Sequence, residues 1–133
     1  MLKASYQNIT IGIVLIALMS AVLVACKKQK AQRYIGDYSC GIEQELDYTD
    51  SFIVNKWVDT IAVSTNGEQM TIYAYQDWSF SSKDLNYKGF YAVEVDSNER
   101  HAVDFSNSSM DYEFFYEDTM VKLNMTYWCN KVE

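Results

Sequence analysis

Three cysteines and one histidine are the residues of this chain whose side chains carry the most chemistry. Cys26 ends an apolar run and meets Lys27, Lys28 and Lys30 at once. Cys40 and Cys129 stand near the two ends of the remaining sequence. His101 is alone, so a catalytic role would require it to converge with carboxylates drawn from elsewhere in the fold. No His-Glu-x-x-His, Gly-x-Ser-x-Gly or glycine-rich phosphate loop is present. With Cys40 and Cys129 joined, no thiol of the body is left as a nucleophile. The expectation is a protein that is not an enzyme and needs no cofactor and no metal.

The segment before Cys26 decides where these residues act. Ile9–Ala25 reads ITIGIVLIALMSAVLVA and carries no charge. A membrane-spanning helix needs about 20 apolar residues, so the run sits at the lower margin. Lys3 and the α-amine supply a basic start, and Ala25 supplies a small residue before the break. That is the layout of a secretory signal peptide. The alternative is an uncleaved span, favoured by Lys27, Lys28, Lys30 and Arg33, since basic residues tend to stay in the cytoplasm.

Leu23-Val24-Ala25-Cys26 resembles the lipobox of bacterial lipoproteins. The resemblance implies a diacylglyceryl group on the Cys26 sulfur, cleavage before Cys26 and acylation of the new amine. Residues 1–25 are then signal peptide, 26–33 a basic tether and 34–133 the working domain. Two or more acyl chains hold a protein stably on a bilayer, at about 0.8 kcal/mol for each buried methylene. The expected location is the cell envelope, facing the periplasm, because Lys27 and Lys28 lack the acidic character that redirects sorting in such families.

Charge is segregated. All 18 acidic residues lie after Tyr34, against six basic ones. An acidic body argues against nucleic acid, whose phosphates require a basic face. The basic tether suits anionic headgroups at about 1 kcal/mol per residue. In an oxidising compartment the even pair Cys40 and Cys129 is expected to form a disulfide, worth roughly 4.5 kcal/mol by loop entropy.

The body must supply strands to hold these groups. It has no proline and is rich in Tyr, Phe, Trp, Val, Ile and Thr. Asn66-Gly67 is the strongest hairpin signal, pairing Val63 with Met70 and Ile61 with Ile72. A second hairpin turning at Glu117-Asp118 would face Phe114 with Val121 and Glu113 with Lys122. The last strand alternates, with Val121, Leu123, Met125, Tyr127 and Cys129 on one side. The first strand puts Tyr34, Tyr38, Cys40 and Ile42 on one face. Further strands are expected near 52–58, 87–95 and 101–106. The fold class is all-β, an antiparallel meander of seven or eight strands with the first beside the last, closed into a barrel or packed as a sandwich.

Gly36-Asp37-Tyr38 resembles the Gly-x-Trp opening of lipocalin-like barrels, with Tyr38 in the place of the tryptophan. That resemblance implies a barrel mouth binding a small apolar ligand. The principal expectation is instead a non-enzymatic binding module, meeting an envelope protein or a glycan through outward-facing Tyr73, Tyr75 and Trp78. Asp59-Thr60-Ile61 and Asp118-Thr119-Met120 also resemble an O-glycan acceptor pattern of some Gram-negative bacteria.

Overall fold

The computed structural model describes residues 32–132. The signal run, the lipobox with Cys26 and most of the tether lie outside the described residues. Eight strands follow in chain order: β1 (Gly36–Tyr48), β2 (Phe52–Asn66), β3 (Gln69–Tyr73), β4 (Trp78–Ser81), β5 (Phe90–Asp96), β6 (Glu99–Phe105), β7 (Ser109–Glu117) and β8 (Val121–Lys131). They form one antiparallel sheet in the order β4-β3-β2-β1-β8-β7-β6-β5. The first strand therefore lies beside the last, as the cysteine spacing suggests.

The sheet curls into a half-barrel that stays open, which corrects the expectation of a closed barrel or a sandwich. The outermost strands, β4 and β5, share no ladder. Ring contacts bridge them instead. Trp78 of β4 stacks on Tyr91 of β5 with centroids 5.7 Å apart, and Phe80 lies 5.5 Å from Tyr91. Aromatic pairs tolerate this spacing without the fixed register that backbone hydrogen bonds demand.

Period-two burial explains which side is concave. On β8, Leu123, Met125, Tyr127 and Cys129 are buried. On β6, His101, Val103 and Phe105 are buried, and on β7, Met110, Tyr112 and Phe114. Cys40 pairs directly with Cys129 across β1 and β8, with Cα atoms 4.0 Å apart, and the two form the expected disulfide. The Tyr38 hydroxyl donates to the Tyr34 carbonyl at 2.9 Å inside the same core. Burial, and then the neighbouring Tyr34 phenol, push the Tyr38 pKa up to about 12.

Two hairpins differ in register from the expectation while keeping every side chain on its expected face. Asn66 pairs with Gln69 and Val63 with Ile72, so the turn residues are Gly67-Glu68 rather than Asn66-Gly67. Only Gly67 has a positive φ there, 65°. A type I′ turn needs two positive φ angles, whereas a type II′ turn needs one at its first position, which glycine fills without strain. At the β7–β8 connection Glu117 pairs with Lys122 and Phe114 with Met125. The Asp118 carboxylate accepts from the amides of Met120 and Val121 at 2.8 and 2.9 Å, which closes a longer loop than a two-residue turn. Glu113 then faces Thr126, and Lys122 meets Glu117 at 3.7 Å.

Candidate interaction surface

Two places in the sheet hold groups that its packing does not dispose of in an ordinary way: the aromatic end of the concave face, and one half of β2. His101 sits in the first. Its Nδ1 is 2.7 Å from the Tyr112 hydroxyl, and its Nε2 is 3.7 Å from a Glu99 carboxylate oxygen. Trp78 stacks on the imidazole at 4.7 Å, and Phe114 lies 4.9 Å away. The ring is 5% exposed. Burial lowers the His101 pKa, and the Glu99 charge opposes that shift only in part. The same burial pushes the Tyr112 hydroxyl well above the ordinary phenol range.

His101 thus lies inside the sheet's curl, although a lone polar residue next to the turn before β6 would ordinarily face solvent. Its alternation with Val103 and Phe105 is the signal that places it there. The rings around it and the hydroxyl that bonds it make it a packed, hydrogen-bonded member of the core. Tyr127 continues the cluster 5.3 Å from Tyr112. Its hydroxyl accepts from the Tyr75 amide at 3.0 Å, which ties the β3–β4 connection to β8.

Among the three expected surface aromatics, Tyr73 and Tyr75 are exposed, and the Ser64 hydroxyl donates to the Tyr73 hydroxyl at 3.3 Å. Trp78 is not part of that surface. It is 7% exposed and stacks on Tyr91, His101 and Tyr112. Trp78 pairs with the buried Ile72 across β3 and β4 and shares its face; the even spacing of the two in sequence is the signal that places Trp78 on the inner side. The structure therefore does not bring Tyr73, Tyr75 and Trp78 onto one face.

The second place is Phe52–Thr60 of β2. All nine of its residues are exposed. β1 covers one edge of this half-strand in an unbroken register, Phe52 with Asp47 through Thr60 with Ser39. β3 begins to pair with β2 only at Ala62. On that side no described strand meets Phe52–Thr60; the Thr60 amide donates to the Asp59 carboxylate at 2.8 Å, and among the described residues no strand pairs with the rest of this edge. Ile53 and Trp57 continue the buried side of Ile61 and Val63, while Phe52, Val54 and Val58 look the other way. Val58 is 75% exposed and Phe52 59%. A strand at 52–58 is legible in the sequence, but its place at an edge is not, because its neighbours follow from topology and not from its own composition.

The turn Asp96–Glu99 is held by the Asp96 carboxylate, which accepts from the Asn98 amide at 2.7 Å. Among the described residues no three His, Cys, Asp or Glu side chains converge as a metal site. Thr60 lies on the free half-strand and Thr119 in the β7–β8 loop, both exposed. No family model, no curated protein and no solved structure matches this chain.

Proposed function

We propose that this chain is a membrane-anchored bacterial envelope lipoprotein whose β-sheet domain acts as a non-enzymatic binding and interaction module. The anchor rests on Leu23-Val24-Ala25-Cys26 at the end of an uncharged run, outside the described residues. The module rests on one observation. Nine consecutive residues of β2 are exposed, five of them large and apolar, along a backbone edge that no described strand covers. Soluble proteins seldom leave such an edge without a use, since it templates pairing with another chain. The concave side, where a carried ligand would sit, is occupied by Trp78, Tyr112, Tyr127 and the disulfide. A surface role therefore has better support than a lipocalin-like carrier.

Two measurements test the reading. The mass of the mature N-terminus should correspond to an acylated chain beginning at Cys26, and Cys26→Ser should release the protein from membranes; an intact Met1 removes the anchor. A photoreactive residue at Val58 should form protein adducts in cells that Val54→Lys suppresses. If neither position 52, 54 nor 58 yields an adduct, the module reading fails.

A further inference from the structure

Among the described residues three edges of this sheet carry no neighbouring strand, and they are not protected alike. β4 is four residues long and runs straight into a 3-10 turn at Ser82–Asp84. β5 carries a register break between Glu94 and Asp96 and presents both carboxylates at that end. Short length, bulges and charge are the ordinary ways of blunting an edge. The free half of β2 is neither short nor bulged. Its register with β1 is continuous, it has no proline, and its charges are Lys56 and Asp59 alone. Lys56 is partnered by Glu43 at 3.3 Å on its own sheet. In a strongly acidic body this edge is locally neutral, so a second copy can approach it without meeting a row of like charges.

The order of side chains along the edge selects the occupant. A two-fold axis normal to the sheet keeps both concave faces on the same side, and one residue then faces its own copy. Centring on Lys56 opposes two ammonium groups. Centring on Val54 sets Phe52 against Lys56, and centring on Trp57 leaves Phe52 and Ile53 unpartnered. Centring on Asn55 sets Phe52 against Val58 and Ile53 against Trp57, each twice by symmetry, with Asn55 amides meeting at the axis and Lys56 opposite Val54. Aromatic–aliphatic cross-strand pairs are among the better stabilising ones. We propose that Phe52–Thr60 is the docking edge for a second copy of this chain, paired antiparallel about a two-fold axis at Asn55.

The inference rests on the module reading and names its partner. Confinement to a membrane would raise the effective concentration of the two edges and favour even a weak contact.

The test uses the full chain in detergent and in membranes. Asn55→Cys should form a covalent dimer on oxidation, since directly opposed strand residues lie within disulfide reach. Val54→Cys and Lys56→Cys should cross-link to each other when co-expressed, each far more than to itself. Wild-type chain, with the same native cysteines, should form no covalent dimer. By light scattering the wild-type should be a dimer and Val58→Lys a monomer, with its circular dichroism unchanged because Val58 is exposed and contributes no core contact. A wild-type monomer with no Asn55→Cys cross-link overturns the proposal, as does a dimer that survives Val58→Lys. Adducts at Val58 to a different protein, with no self-adduct, overturn the second copy while the module reading stands; no adduct at all defeats both.

Discussion

The Nδ1 of His101 lies 2.7 Å from the hydroxyl of Tyr112, in a pocket roofed by Trp78. Burial depresses the His101 pKa below its ordinary 6.5, so the folded state holds the neutral ring. The unfolded chain takes up a proton as pH falls below that value, and the folded chain resists doing so. Stability is therefore fully present above pH 6.5 and declines as pH drops through the depressed folded pKa. The wild-type Tm should fall more between pH 7.5 and 5.5 than that of His101→Gln. Equal slopes would show that His101 is not the source.

Cys40 and Cys129 join the first and last strands, 89 residues apart in sequence. Closing a loop of that length constrains the unfolded chain by roughly 4.5 kcal/mol. The double variant Cys40→Ala/Cys129→Ala should lose on the order of 20 °C in Tm, at the few degrees per kcal/mol typical of a domain this size. Calorimetry measures the loss. Mass spectrometry under non-reducing conditions should find no free thiol at either position, and two free thiols would refute the bridge.

What the sequence discloses here follows from period two. β8 is readable residue by residue because one face is buried and the other is not, and an alternation of that kind has one solution. Pairing of β1 with β8 follows from two inward cysteines, one on the first strand and one on the last, joined as a disulfide. Registers were less legible. Both hairpins slide by an even number of residues, and an even slide leaves every face unchanged, so the hydrophobic pattern cannot detect it. Openness of the sheet was illegible too, because β4 and β5 meet through rings whose contacts leave no periodic mark. His101 was readable in principle from Val103 and Phe105, but a lone polar residue near a turn suggests the opposite face.

Two glycines should respond to alanine with opposite signs. At Gly41 an added Cβ meets nothing within 4 Å, and the residue lies within β1. Gly41→Ala should stabilise by about 0.5–1 kcal/mol, the usual penalty of glycine in a strand. At Gly89 φ is +88°, and a Cβ would lie 2.6 Å from the Phe105 carbonyl oxygen and 2.9 Å from the Tyr34 hydroxyl. Gly89→Ala should cost more than about 2 kcal/mol, from the left-handed backbone and the displaced Phe105 segment together. Urea titration of the two variants beside the wild-type decides both signs.

Trp78 and Tyr75 separate core from surface within one short stretch. Trp78 stacks on Tyr91, His101 and Tyr112, so Trp78→Ala should cost about 3–5 kcal/mol. It should also erase much of the near-ultraviolet circular dichroism, because the stack that fixes those rings is gone. Tyr75 is 59% exposed, and its tie to Tyr127 runs through its backbone amide. Tyr75→Ala keeps that amide and should change stability by no more than about 0.5 kcal/mol. Equal losses in the two variants would mean that Tyr75 packs as Trp78 does, and the division of this segment into an inner and an outer aromatic would be wrong.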